Sequence, residues 1–264
     1  MKFTKLFTIA ILAFANSFNS FSQIKITSNF DLQTPKEYYL QVKQFGEFLN
    51  RFNYKTDWKG NLITEEFSKK VPRNSYIFSL INQEDKRITN PNDSSYRAIC
   101  SEFIKFITNP EKPQEIYLYS GQVKAEAFVN IICFGKTAQV KVEMIPDVLP
   151  DRSARWVING VESSLFETNT DSIKKHFIAP NSHETNFINL KKLNESDNDI
   201  YYLSAPIANT MIFIKGIEQK KIQIQNIERV TYQVTFPGWL VTVDEFTRGS
   251  NNSGWLISDI KKGY

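Results

Sequence analysis

The strongest constraint on the fold is a strand pattern that occurs once in each half of the chain. Val140-Lys-Val-Glu-Met-Ile145 has the form of Val241-Thr-Val-Asp-Glu-Phe246, and Trp156-Val-Ile-Asn-Gly-Val161 has the form of Trp255-Leu-Ile-Ser-Asp-Ile260, at offsets of 101 and 99 residues. Apolar residues alternate in these segments, which is typical of strands with one buried face. The pattern indicates an internal duplication. The alternative is chance similarity, because such alternation is common among strands.

Helical patterns precede the strands in both halves. The first predicted helix begins at Thr34-Pro35-Lys36-Glu37, which carries capping residues, and its apolar stripe consists of Tyr38, Val42, Phe45, Leu49 and Phe52. Further helices are predicted for residues 73–81, 95–107, 183–193 and 206–217.

Predicted strands follow each helical region. Residues 123–133 and 138–144 alternate, with a two-residue hairpin turn at Gly135-Lys136, and residues 155–158 form a third strand. Residues 230–236 alternate before a tight turn at Pro237-Gly238. This order predicts an α+β fold in which helices pack on curved antiparallel sheets. The repeat predicts two tandem domains, residues 33–162 and 170–264, with a polar join between them.

The first 22 residues have the features of a secretory signal peptide. Lys2 and Lys5 form a positive head, an apolar run follows, and Ser20-Phe21-Ser22 precedes a cleavage site at Gln23. The run has about ten residues, whereas a membrane-spanning helix needs about 20. No membrane span is therefore predicted. We expect an exported protein, periplasmic or extracellular.

The charge balance argues against nucleic acid as a partner. The chain has 32 basic and 28 acidic residues, and two of the basic ones lie in the predicted signal peptide. The remaining balance of +2 is close to neutral, whereas nucleic-acid-binding surfaces are strongly basic. The partner is expected to be a small molecule or a protein.

Motifs of common cofactor and metal sites are incomplete. Gly249 and Gly254 have the spacing of a phosphate-binding loop, but Trp255-Leu256 occupies the positions that require Lys and Ser or Thr. His183-Glu184 could open a zinc-binding helix, yet Phe187 stands where the second histidine is needed. We therefore predict no cofactor, no metal site and no catalytic residue.

The two cysteines allow two interpretations. Cys100 lies beside the apolar stripe of the helix predicted for residues 95–107, and Cys133 lies on the apolar face of the strand that this helix would cover. Export permits a disulfide between them. Alternatively, both are buried thiols that pack as small apolar side chains.

Carboxylates that occur only in the second half define the candidate site. Glu245 shares the apolar face of its strand, and its counterpart at the offset of 101 is Met144. Asp259 corresponds to Gly160 in the first half. A carboxylate aimed into an apolar cavity can anchor a ligand or act as a base of raised pKa. The alternative is that both lie at strand ends in water, because acidic residues are rarely buried unpaired.

These residues predict a ligand-binding site in the second half of the chain. Tyr232, Glu245 and Trp255 would line it, with Asp259 on the face of Trp255 and at the rim. If Glu245 lies opposite Trp255, Asp259 is about 13 Å further along the strand. That distance exceeds the separation of paired glycosidase carboxylates. Binding is therefore expected to dominate over chemistry.

Helices followed by a curved antiparallel sheet, with a tryptophan in its last strand, resemble the nuclear transport factor 2-like superfamily of cone-shaped α+β domains. Most of the resemblance comes from Asn181-Ser-His-Glu-Thr-Asn-Phe187 and from residues 239–260, which include Gly254-Trp-Leu-Ile-Ser258. The tandem form with an export signal is similar to uncharacterised exported proteins of Gram-negative bacteria. The resemblance implies a pocket between helices and sheet, which this superfamily uses in binding proteins and enzymes alike.

Two functional hypotheses follow. The first is an exported, non-catalytic binding or interaction module. The second is an enzyme of isomerase or lyase type that uses a single pocket carboxylate in the second domain.

Overall fold

The computed structural model describes residues 41–166 and 203–263. Helices come first in the described part of the chain, and their bounds are α1 Phe45–Phe52, α2 Glu65–Lys70, α3 Arg73–Ser79, α4 Lys86–Thr89 and α5 Ser95–Ile107. The strands β1 Val123–Cys133, β2 Lys136–Val148 and β3 Ala154–Glu162 follow, and then a short 3₁₀ turn, Ser164–Phe166. The second described segment contains α6 Ala205–Glu218, β4 Ile222–Phe236, β5 Trp239–Phe246 and β6 Gly254–Lys262.

All six of these strands belong to one sheet, in the order β3-β2-β1-β4-β5-β6, and every neighbouring pair is antiparallel. The predicted α+β class is confirmed. Separate sheets, as expected for tandem domains 33–162 and 170–264, are not found, because β1 of the first half pairs along its length with β4 of the second. The two-domain division and the cone shape are therefore not confirmed.

The outer strand pairs have matching registers. In β3 the residue left unpaired by a β-bulge is Asn159, and in β6 it is Ser258, 99 residues later. The same offset relates β2 to β5, since Met144 and Val243 are the first partners beyond the bulge. The bulges thus repeat with the sequence pattern, as expected for a feature that is inherited with its strand.

The centre of the sheet lies on a pseudo-two-fold axis. Ala125 pairs with Met144 in β2, just as Tyr232 pairs with Val243 in β5. Ala125 and Tyr232 are therefore equivalent residues, and they lie directly opposite each other in the β1–β4 pair. An axis perpendicular to the sheet between these two residues relates the two sets of strands.

The helices pack on the strands of the other half. Helices α1 and α5 contact β6, while α6 contacts β3. One hydrophobic cluster contains Phe103 of α5 and Ile257 of β6, and a second contains Phe213 of α6 and Ile131 of β1. Val123 of β1 belongs to the first cluster and shares a face of β1 with Ile131. Both clusters therefore lie on the same face of the sheet.

The first helix begins later than the sequence pattern predicts. Residues 34–38 lie outside the described residues, and α1 begins at Phe45. Val42 instead contributes an isolated bridge to Gly254, and its carbonyl accepts a hydrogen bond from the Trp255 N–H at 2.8 Å. Gly254 has φ +84°, and a Cβ there would lie 1.9 Å from the Val42 carbonyl oxygen. Only glycine permits this close approach.

The edge of β6 is covered further along by the segment that follows α3. The Ile257 N–H donates to the Leu80 carbonyl at 2.8 Å, and the Asn82 N–H donates to the Ile257 carbonyl at 2.9 Å. Residues of the first half therefore satisfy the edge of the last strand of the second half, which removes an open site for strand pairing.

The β1–β2 and β4–β5 hairpins, whose turns the sequence predicts, both have two-residue turns. The first turn consists of Phe134 and Gly135, at φ 49° and 77°, and not of Gly135-Lys136 as predicted, because Cys133 pairs with Lys136. Two positive φ values are typical of a type I′ hairpin turn. The turn predicted at Pro237-Gly238 is confirmed. The helix predicted for residues 183–193 lies outside the described residues.

Candidate functional site

Aromatic side chains lie at the pseudo-two-fold axis, on the face of the sheet that carries the helices. We call Trp156, Tyr232 and Trp255 the aromatic cluster. The ring centroid of Tyr232 is 5.1 Å from that of Trp255 and 6.1 Å from that of Trp156. The two tryptophans are equivalent, 99 residues apart. The opposing residue on the axis is Ala125, whose small side chain leaves room for one large ring.

Helix α1 holds the tyrosine of the cluster in place. The ring of Phe45 stacks on Tyr232, with centroids 3.6 Å apart and planes at 9°, and meets Trp255 edge-on at 6.1 Å. Burial raises the pKa of the Tyr232 hydroxyl. The phenol is therefore neutral at physiological pH, and one face of its ring is already occupied.

The remaining aromatic surface is open to solvent. Trp156 is 37% exposed, and Tyr232 and Trp255 are partly exposed. Trp156 is the site residue that sequence reasoning missed. Its signal was present, because the W-x-I repeat makes it the equivalent of Trp255. What brings it to Tyr232 is the β1–β4 pairing, which strand alternation does not predict.

Glu245 lies opposite Trp255, as the sequence predicts, but its side chain is not in the apolar cavity that was predicted. Its side chain is exposed and not enclosed in a cavity. Its counterpart in the first half is Pro146, opposite Trp156, and not Met144, because one offset of 99 residues relates the strand pairs. The two halves therefore still differ in charge at this position, where the first half has the uncharged Pro146 and the second half has Glu245.

Asp259 does not join the cluster, and its predicted face is wrong. The bulge at Ser258 places Asp259 opposite Thr242, so it does not share the face of Trp255. Its carboxylate accepts a hydrogen bond from Arg87 Nη1 at 2.7 Å and lies 3.7 Å from Lys261 Nζ. Asp259 therefore fastens α4 to the edge strand.

A concavity lies beside β2, where β3 ends its pairing with that strand. This shallow groove has a volume of about 630 Å³ and includes Glu126, Phe128, Lys141, Glu162 and Asn209 among its lining residues. Lys141 Nζ lies 3.2 Å from a Glu126 oxygen and 2.8 Å from a Glu162 oxygen. Both carboxylates of this groove are thus in contact with a lysine, unlike the carboxylate beside the aromatic cluster.

The cysteines are not bonded to each other. Cys100 is buried in the first hydrophobic cluster, where burial raises the pKa of its thiol to about 11, and Cys133 packs against the second cluster. The sequence predicted that the helix carrying Cys100 would cover the strand of Cys133, but this helix packs mainly on β6, and the two cysteines belong to different clusters. Because the helices of each half pack on strands of the other half, the two thiols lie in different hydrophobic clusters.

Further findings concern metals and membranes. The described segments contain no group of three or more His, Cys, Asp or Glu side chains arranged for a metal ion, and both histidines lie outside them. Within the same segments no helix has the length and apolar character needed to cross a membrane.

Comparison of the chain with protein-family models, curated proteins and solved structures finds no match. The resemblance to the nuclear transport factor 2-like superfamily accordingly stays a prediction.

Proposed function

We propose that the protein is an exported, non-catalytic binding module whose ligand rests on the aromatic cluster, with Glu245 as the polar contact. The observation that carries this proposal is the convergence of Trp156 and Trp255 on Tyr232, with exposed ring surface remaining. Aromatic surface combined with a few polar groups is the usual composition of ligand sites.

The setting of Glu245 favours binding over catalysis. A general base of isomerase or lyase type works best when burial or a charged neighbour adjusts its pKa. Glu245 is exposed, and within the described segments its side chain makes no hydrogen bond or ion pair. A solvated carboxylate can still orient a polar ligand that rests on adjacent rings.

A ligand screen on the mature chain tests this proposal. Compounds that raise the melting temperature would be titrated by tryptophan fluorescence into wild type, Glu245→Gln and Trp156→Leu. Trp58→Leu is the matched control, because Trp58 is partly exposed and packs against Phe67 and Tyr76 rather than against the aromatic cluster. Weaker binding in the two site variants alone supports the proposal. Equal affinity in all four proteins for every hit would refute it.

Export is tested separately. Mass spectrometry of periplasmic or secreted material should show a chain that begins at Gln23, in agreement with the signal pattern of residues 1–22. A chain of unprocessed mass in the cytoplasm would contradict this part of the proposal.

A further inference from the structure

The chemistry of the aromatic cluster narrows the class of ligand. Ring faces carry negative electrostatic potential and attract cations within about 6 Å of their centroids. Trp255 lies opposite a carboxylate, and residues directly opposite in an antiparallel pair have Cβ atoms about 5 Å apart. A positive group over the exposed tryptophan surface would thus meet both the ring potential and the charge of Glu245.

Elsewhere in the described part of the chain, several aromatic rings are covered by the protein's own cations. The guanidinium of Arg87 lies 3.8 Å from the ring centroid of Tyr96, and that of Arg229 lies 3.7 Å from Phe128. Lys262 Nζ lies 5.8 Å from Trp239. In the described part of the chain, no Arg or Lys lies in this way over a ring of the aromatic cluster.

The basic residue directly before Trp156 and the first basic residue after Glu245 are engaged with other groups. Arg155 donates to Asp147 at 3.1 Å, and Arg248 pairs with Glu84 at 3.1 Å while its guanidinium lies over Phe246. Neither is paired with Glu245. The cluster therefore combines open ring surface with a carboxylate that no basic side chain of the described segments neutralises.

We propose that the ligand of the aromatic cluster is a quaternary ammonium compound. This inference rests on the proposed function and specifies its ligand class. A quaternary ammonium group donates no hydrogen bonds, so it loses little when rings replace its water. It keeps its positive charge, which the π faces and a nearby carboxylate attract. Tryptophan is the most favourable ring for such contacts.

The test uses choline and its uncharged carbon analogue, 3,3-dimethylbutan-1-ol, which has nearly the same shape. Each would be titrated into the mature chain by calorimetry and by tryptophan fluorescence, with sodium chloride holding the ionic strength constant. We expect choline to bind at least roughly fivefold more tightly than the analogue, in line with the size of a cation–π contact.

Three variants locate the interaction. Glu245→Gln and Trp156→Leu should each weaken choline binding while leaving the analogue little changed. Glu111→Gln, at an exposed loop position, should leave both unchanged. Thermal unfolding of each variant checks that the fold is intact, which is expected because the substituted side chains are exposed or partly exposed.

The outcomes separate this inference from the proposed function. Equal affinity for choline and its analogue, both lost in Trp156→Leu, would overturn the cation assignment and leave the binding module standing. Choline affinity that is unaffected by Glu245→Gln and Trp156→Leu would overturn the site. Absence of choline binding would overturn the inference, while the screen described above would still decide the proposed function.

Discussion

Strands β2 and β3 are equivalent to β5 and β6 in register and bulge position, yet they differ in what covers them. Ile257 of β6 is fully buried beneath the helices of the first half, whereas its equivalent, Ile158 of β3, is 39% exposed. Trp255 is flanked by Phe45 and paired in register with Glu245, while Trp156 is paired with Pro146. At this position the same strand pattern thus contributes to the core on one side of the axis and to accessible surface on the other.

The largest expected effect comes from separating the two halves. A chain that ends at residue 166 keeps α1, α3 and α5 but lacks β4, β5 and β6, on which the first hydrophobic cluster depends. We expect no cooperative thermal transition by circular dichroism, and strong binding of a dye that reports exposed apolar surface. Adding residues 167–264 as a second chain should restore the transition. Cooperative unfolding of the fragment alone would show that the halves are independent domains.

A substitution at equivalent isoleucines measures the difference in cover. Ile257→Ala should lower the free energy of unfolding by about 2–5 kcal/mol, because it opens a cavity in a closed core. Ile158→Ala should cost less than about 1.5 kcal/mol, since its side chain is already partly in water. Urea titration of both variants makes the comparison. Equal losses would mean that β3 is as well covered as β6.

The contact between Val42 and β6 has no matched position in β3, where Arg155 is the equivalent of Gly254. Gly254→Ala should destabilise by about 1–3 kcal/mol from its positive φ alone, with a further loss from the clash with the Val42 carbonyl. Gly249→Ala is the control, because open space surrounds that glycine. Differential scanning calorimetry should show a lower melting temperature for the first variant only. A similar melting temperature for both would indicate that the Val42 bridge contributes little.

The smallest effect concerns alkaline pH. Burial raises the pKa of Tyr76, Tyr96 and Tyr232, so each hydroxyl stays protonated to a higher pH in the folded chain than in the unfolded one. Stability should be unaffected by these groups below about pH 10. It should fall as the pH rises above that value, because the unfolded chain releases protons first. Tyr232→Phe should make this fall of stability with pH less steep. The equivalent residue, Ala125, has no titrating group and does not contribute to it. An unchanged pH dependence of stability in this variant would contradict the raised pKa of Tyr232.

Local sequence patterns predict much of the fold correctly. Alternation identified the strands, and the limits of α5 agree with the predicted residues 95–107. The Trp156 and Trp255 repeat also indicated equivalent positions. The arrangement of the hydrophobic faces in two separate domains was not confirmed, because alternation marks a face as buried without saying which helix buries it. Two separate sheets and one joined sheet have the same local pattern.

The candidate site illustrates the same limit. Tyr232 and Trp255 were found from alternation, and their contact is present in the structure. Asp259 was misplaced because a bulge at Ser258 reverses the face of every residue after it, and a bulge leaves little trace in an alternating sequence. The offset of 101 residues failed at Met144 because an alternating strand matches its repeat equally well after a shift of two residues, whereas the bulges fix the offset at 99.

The packing of the first-half helices on strands of the second half affects the order in which the chain can fold. Helices α1 to α5 are synthesised first, but their principal partners, β5 and β6, are the last elements of the described chain. Contacts between distant parts of a sequence slow folding, because the intervening chain must first be closed into a loop. The apolar faces of the early helices therefore lack their partners in β5 and β6 until those strands have been synthesised. We therefore expect a growing chain of this topology to expose apolar surface for longer than one whose halves fold in turn.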